Sequence, residues 1–118
     1  MNLVNAAIRS AKLMRIRQAT DELLASGIFE SLEGKHLTNY LYIFTGPLKS
    51  GGHAKLVRGY DYIYADVYKN KILDQVYSLE ELEHPYSIEK SIPIFLDWMQ
   101  DYITNPPVAE DEDEQADS

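Results

Sequence analysis

The sequence predicts an α+β fold: a three-stranded antiparallel sheet with two helices packed on one face, in the order α-β-β-β-α. Apolar residues at helical spacing occur near both ends of the chain, and between them lie alternating, tyrosine-rich runs that are typical of strands. The 118 residues suffice for one hydrophobic core. We therefore expect a single α+β domain over residues 1–107 and a disordered acidic tail over residues 108–118.

The first helix is predicted from residue 1 to about Ser26, where Gly27 supplies the left-handed residue that commonly ends a helix. The apolar side of this helix changes direction part-way along. In the second half, the apolar residues at helical spacing are Ile16, Ala19, Leu23 and Leu24. The first half carries a separate stripe, roughly opposite, made of Leu3, Val4, Ala7, Ile8, Ala11 and Met14. We predict that this stripe contacts a second copy of the chain or another partner. The alternative is that the protein's own loops cover both sides.

Three strands are predicted, over residues 39–45, 54–68 and 71–77. The glycine- and proline-rich segment 46–55 separates the first two, and the second bends or bulges at Gly59. Lys69 and Asn70 form the tight turn before the third strand.

The last helix is predicted from Ser91 to Thr104, with Pro93 confined to its first turn because proline lacks a backbone N–H. Its apolar stripe comprises Ile92, Phe95, Leu96, Met99, Tyr102 and Ile103. The Asn-Pro-Pro sequence at 105–107 ends it.

Five of the nine tyrosines lie between Arg58 and Ser78. Side chains alternate along a strand, so the second strand should present its tyrosines on one face and Ile63, Ala65 and Val67 on the other. With the turn at Lys69 and Asn70, the tyrosine face also receives Tyr77, and the first strand extends it with Tyr40, Tyr42 and Phe44. A shift of one residue would exchange the two faces of the third strand. We expect the helices to cover the aliphatic face and to leave the tyrosine face open.

An open tyrosine face favours binding, because tyrosine combines a large apolar ring with a hydroxyl that can remain hydrated. The predicted partner-binding residues are Tyr40, Tyr42, Tyr60, Tyr62, Tyr64, Tyr68 and Tyr77, together with Lys49, Lys55 and Arg58 as contacts for a phosphate or an acidic group. The alternative is that cross-strand tyrosine pairs stabilise an exposed sheet without any partner.

The net charge of −8 is unevenly distributed. Six of the 19 acidic side chains lie in the run 110–117, and the rest of the chain carries eleven basic and thirteen acidic side chains. The acidic character therefore belongs mainly to the predicted tail.

No enzyme signature is present, and we predict no catalytic activity, no cofactor and no metal. Cysteine is absent, which excludes disulfides and thiolate chemistry. The loop 46–55 lacks Walker A spacing, there is no Gly-x-Ser-x-Gly sequence, and His36, His53 and His84 are too far apart for a metal motif. A small enzyme using His53 with hairpin carboxylates is the weakest of the hypotheses. Without a signal-peptide-like or membrane-spanning stretch, the chain is expected to be soluble and cytoplasmic, with no membrane partner.

The α-β-β-β-α order is similar, in topology alone, to that of double-stranded RNA-binding domains. Those domains begin their last helix with several lysines, whereas SIEKSIPIF at 87–95 has one lysine and one glutamate. The aromatic sheet face also resembles that of RRM-type RNA readers, but the strand order and aromatic motif differ.

We therefore predict a small non-catalytic protein-binding module, namely an inhibitor, immunity-type or regulatory protein that occludes a partner's surface. The stripe on its first helix would serve as a homodimer contact or as a further partner contact. The alternative is a single-stranded nucleic-acid-binding protein, with bases stacked on the tyrosine face and Lys49, Lys55 and Arg58 at the phosphates.

Overall fold

The computed structural model describes residues 3–38, 41–80 and 88–107. Its elements are α1 (Leu3–Ala25), β1 (Glu33–His36), β2 (Tyr42–Pro47), β3 (His53–Arg58), β4 (Tyr62–Lys69), β5 (Ile72–Glu80) and α2 (Ile88–Thr104). The strands form one antiparallel sheet in chain order, β1-β2-β3-β4-β5. The α+β class is confirmed, but the predicted three-stranded sheet is wrong because the sheet has five strands. The topological likeness to double-stranded RNA-binding domains is lost with it.

One extra strand is β1, which pairs with β2 from Glu33↔Thr45 to His36↔Tyr42. Its sequence, Glu-Gly-Lys-His, contains no β-branched or aromatic residue other than histidine, so local propensity does not indicate a strand. Its central residue, Gly34, lies under α1: a Cβ there would meet Thr20 and stand 3.2 Å from Ile16. β1 is therefore stabilised by its pairing with β2 and by the close packing of α1 on Gly34, and not by local strand propensity.

The other extra strand arises because the predicted strand 54–68 is a hairpin rather than one bent strand. The chain reverses between Arg58 and Ile63, which are paired across β3 and β4. The Gly59 N–H donates to the carbonyl oxygen of Tyr62 at 2.9 Å. Inside this turn, Nη1 of Arg58 donates to the carbonyl oxygen of Gly59 and lies 3.2 Å from those of Tyr60 and Tyr62. Arg58 is only 3% exposed, so its guanidinium stabilises the hairpin from within.

The hairpin between β4 and β5 differs from the predicted one by its turn and by a bulge. Asn70 and Lys71, with φ angles of 54° and 66°, are the turn residues, as a type I′ turn requires. The pairing then shifts: Tyr68 faces Leu73 but Val67 faces Gln75, which leaves Asp74 as an extra residue. Beyond this bulge Tyr77 pairs with Ala65, and it lies on the same side of the sheet as Ala65 rather than with the other tyrosines.

Both helices lie on the face of the sheet that carries Phe44. Phe44 packs edge-on against Phe95 of α2 at a centroid distance of 6.1 Å, and α1 crosses the neighbouring Gly34. The second half of α1 buries Ile16, Ala19 and Leu23; α2 buries Ile88, Ser91, Ile92, Phe95, Met99 and Tyr102. The sheet completes this core with Tyr42, Phe44, Ala54, Leu56, Ile63, Ala65 and Val67.

The end of α1 agrees with the sequence prediction, whereas the start of α2 does not. α1 ends at Ala25, and Gly27 has the expected left-handed φ of 80°. α2 begins at Ile88, three residues earlier than predicted, so Pro93 lies inside the helix on its exposed side. Among the described helices, none is both long enough and apolar enough to cross a membrane.

Candidate protein-binding face

The sheet side opposite the helices, here called the open face, carries no described helix. In antiparallel pairs, directly opposed residues share a face. In strand order its side chains are Glu33, Lys35, Ile43, Thr45, Pro47, His53, Lys55, Val57, Tyr62, Tyr64, Asp66, Tyr68, Leu73, Val76, Ser78 and Glu80. Exposure varies across it: Val57 is buried, whereas Leu73 and Val76 are about half exposed. The open face thus mixes apolar, aromatic and charged groups.

Two parallel tyrosine rings are the most distinctive feature of this face. Tyr62 and Tyr64 project from alternate positions of β4, with ring centroids 6.1 Å apart and planes inclined by 14°. Tyr62 is 37% exposed. Its ring lies over Gly59, where any Cβ would collide with it. The glycine therefore lets the ring settle on the backbone of the hairpin that precedes β4.

A cavity of about 360 Å³ lies beside these rings, lined by Asp61, Tyr62, Ile63, Tyr64, Ser78 and Glu80. Glu80 is the direct cross-strand neighbour of Tyr62, and Asp61 immediately precedes it in the chain. No basic side chain is among the described lining residues. Because aromatic ring faces and carboxylates both attract positive charge, this arrangement suits a lysine or arginine side chain.

The opposite end of the open face is basic. His53 and Tyr68 are cross-strand partners there, and Lys55 faces Asp66 one row further in. A second cavity, of about 280 Å³, is lined by Gly52, His53, Tyr68, Asn70 and Lys71. Along β4 and β5 the charges therefore differ between the two ends, with Asp61 and Glu80 near Tyr62 and Lys71 near Tyr68.

The structure brings together only part of the predicted binding set. Tyr62, Tyr64, Tyr68 and Lys55 share the open face. Tyr60 is 46% exposed but lies in the turn between β3 and β4, while Lys49 is exposed in the loop between β2 and β3. Tyr40 lies outside the described residues.

Three predicted binding residues have other environments. For Tyr42 and Tyr77 the predicted placement on the tyrosine face is wrong, and Arg58, predicted as a contact for a phosphate or an acidic group, is buried. Tyr42 is 5% exposed and stacks on His36 at 4.1 Å on the helix side, because β2 turns its aromatic residues and not Ile43 towards the core. Large rings fill the space between the sheet and two helices. Arg58 is buried in its hairpin, and Tyr77 faces α2 because of the bulge at Asp74.

Tyr77 joins β5 to α2. Its ring stacks on Trp98 with centroids 5.6 Å apart and planes inclined by 15°, and its hydroxyl donates to Oδ2 of Asp101 at 2.9 Å. Partial burial and the hydrogen bond to this carboxylate raise the pKa of Tyr77 well above its usual value.

A second pair of this kind uses the bulge residue. The Tyr102 hydroxyl donates to Oδ2 of Asp74 at 2.6 Å. Burial, followed by this hydrogen bond, raises the pKa of Tyr102 to about 12. Asp74 thus has a structural partner on α2.

The predicted oligomer stripe on α1 is exposed where its side chains are described. Val4 and Met14 are 63% and 60% exposed, and Ala7 and Ala11 are exposed as well. The Leu3 and Ile8 side chains lie outside the described ones. Leu13, which was not part of the predicted stripe, is 59% exposed. The dimer contact remains a prediction.

The carboxylates beside the tyrosine pair, Asp61 and Glu80, are not among the predicted binding residues. The position of Asp61 is indicated by the Gly-Tyr-Asp sequence at 59–61, which is a turn sequence between two strand-like runs. Reading it as a turn would have placed Asp61 next to the tyrosines. Among the described residues, no three histidine, aspartate or glutamate side chains are grouped so that they could hold a metal ion.

No protein-family model, curated protein or solved structure matches this chain significantly.

Proposed function

We propose that this protein is a small non-catalytic binding module, an inhibitor, immunity-type or regulatory protein, that covers a basic surface of a partner protein with the Tyr62 end of its open face. The observation that carries the proposal is the parallel Tyr62–Tyr64 pair beside two carboxylates, on a sheet side without a described helix.

The rings supply the anchoring part of such an interface. Tyrosines held on a strand lose little entropy on binding, and aromatic anchors commonly contribute about 2 kcal/mol or more each. Val76, which lies across from Asp66 on the same face and is about half exposed, adds apolar area.

The charges select the partner class. Asp61 and Glu80 line the cavity beside the rings, so a phosphate backbone laid on Tyr62 and Tyr64 would meet two carboxylates. A protein surface with an exposed lysine or arginine would instead gain attraction and faster association. This favours a protein partner over single-stranded nucleic acid at this end of the face.

Affinity capture with the full chain, followed by titration of the captured protein, tests the proposal. The variant Tyr62→Ala/Tyr64→Ala should weaken binding by at least about thirtyfold, which corresponds to about 2 kcal/mol. Its circular dichroism should remain close to that of the parent chain, and its urea unfolding should remain cooperative.

Charge reversal tests the partner's chemistry. Asp61→Lys/Glu80→Lys should weaken binding, whereas Asp21→Lys/Glu22→Lys, which makes the same charge change on exposed positions of α1, should not. Equal binding by the tyrosine variant and the parent chain contradicts the proposal. Captured material that absorbs as nucleic acid and disappears with nuclease supports the alternative instead.

A further inference from the structure

One end of the sheet carries a cluster of cations that the proposed binding site does not use. The loops at this end, residues 48–52 and 69–71, belong to neighbouring hairpins and contain Lys49, Lys69 and Lys71, all exposed. Exposed His53 adjoins them. None of the three lysines forms an ion pair with another described residue.

Two carboxylates, Asp66 and Asp74, lie three residues from either end of the loop at 69–71. Asp74, three residues beyond Lys71, accepts the hydrogen bond of Tyr102. Neither carboxylate forms an ion pair with the lysines of the two loops.

The end of α2 leads into this cluster. Pro106 lines a cavity of about 340 Å³ together with Gly51, Gly52, Lys69 and Asn70. The chain therefore leaves its last described residues, 106 and 107, directly beside the two basic loops.

The segment that follows has the opposite charge and sufficient length. Residues 108–118 include six carboxylate side chains and no lysine or arginine. Eleven residues span at most about 40 Å, whereas neighbouring strands are only about 4.8 Å apart. All three lysines are thus within reach of the acidic run.

We propose that the acidic segment 108–118 docks on the basic loops at 48–52 and 69–71 of its own chain and shields their lysines from other polyanions. Each contact between exposed charges is weak and is screened by salt. Attachment at residue 107 compensates, because a short tether holds the segment at a millimolar effective concentration. This inference is independent of the proposed function, since the tyrosine pair and its carboxylates lie at the other end of the open face.

Paramagnetic labelling of the full chain tests the proposal. The chain contains no cysteine, so Ala116→Cys gives one attachment site for a nitroxide without changing the charge of the segment. At low salt, the backbone amide signals of residues 49–53 and 69–71 should lose at least half of their intensity relative to a diamagnetic label. In 0.5 M NaCl these signals should recover, because the Debye length falls to about 4 Å.

Matched variants identify the contact. Lys49→Gln/Lys69→Gln/Lys71→Gln should abolish the broadening, whereas Arg15→Gln/Arg17→Gln/Lys35→Gln, with the same change in net charge at exposed positions elsewhere, should preserve it. Absence of broadening at low salt, broadening centred on another surface, or broadening that is equal in both triple variants overturns the proposal.

Heparin provides a second measurement of the shielding. Neutralising the segment in the full chain should tighten heparin binding at least tenfold at low salt, and the loop triple variant should remove that gain. Unchanged heparin binding would show that the segment does not shield the loops. The neutralising substitutions are Glu110→Gln, Asp111→Asn, Glu112→Gln, Asp113→Asn and Glu114→Gln.

Discussion

Replacing Tyr77 should change both the stability of the protein and the fluorescence of Trp98. The bulge at Asp74 places Tyr77 against α2, where its ring stacks on Trp98 and its hydroxyl donates to Asp101. Without the bulge, Tyr77 would join the open face and would be far from the indole. This side chain therefore reports directly on the register of β5.

The size of the effect follows from the two contacts. Tyr77→Phe removes one hydrogen bond to a carboxylate that remains solvated, so we expect a loss of about 1 kcal/mol. Tyr77→Ala also removes the ring stacking on Trp98, worth about 0.5–1.5 kcal/mol, and the burial of the apolar part of a half-buried side chain. The total for Tyr77→Ala should be about 2–3 kcal/mol, below the cost of truncating a fully buried aromatic residue.

Urea unfolding monitored by fluorescence measures both quantities, because Trp98 is the only tryptophan. Tyr77→Ala should shift the folded-state emission to the red as the indole gains contact with water. Tyr64→Ala is the matched control: it removes a half-buried tyrosine from the open face and should leave the emission unchanged. A double-mutant cycle with Asp101→Asn should give a coupling of about 0.5–1 kcal/mol.

The opposite pattern would refute the register. If Tyr64→Ala shifts the emission of Trp98 while Tyr77→Ala leaves both emission and stability unchanged, Tyr77 belongs to the open face. A coupling of zero between Tyr77 and Asp101 would refute the hydrogen bond alone.

Three further predictions concern pH and two backbone positions. The unfolded chain loses a tyrosine proton near pH 10, whereas folded Tyr102 keeps its proton to about pH 12, so its stabilising contribution is complete below pH 10 and is lost between pH 10 and 12. Thermal unfolding should show this decline, and Tyr102→Phe or Asp74→Asn should reduce it; an unchanged slope contradicts the pairing. Lys71→Gly should stabilise the protein by about 0.5–1 kcal/mol in urea, because glycine adopts the φ of 66° without strain; a loss of stability would contradict the type I′ turn. Gly46→Ala should destabilise it by about 1–3 kcal/mol or more, because a Cβ there would collide with the carbonyl oxygen of Ser31; a neutral effect would show that the two backbones are not in contact.

The local features of this protein follow from its sequence. The alternation along β4 places Ile63, Ala65 and Val67 in the core and Tyr62 and Tyr64 opposite, because a period of two residues is a property of the strand itself. The end of α1 follows equally from one glycine with a left-handed backbone.

The placement of these elements relative to one another was decided by the tertiary structure. The alternation of β2 is visible in its sequence, but only packing under two helices turns Tyr42 and Phe44 inwards. β1 is a strand because it pairs with the edge of β2 and because Gly34 leaves room for α1 to pack on it. Its own composition does not favour a strand. One bulged residue, Asp74, then moves Tyr77 from the open face to the core side. A period of two residues cannot predict which face is buried, since a one-residue shift exchanges the faces at no local cost and only the contacts across the sheet distinguish them.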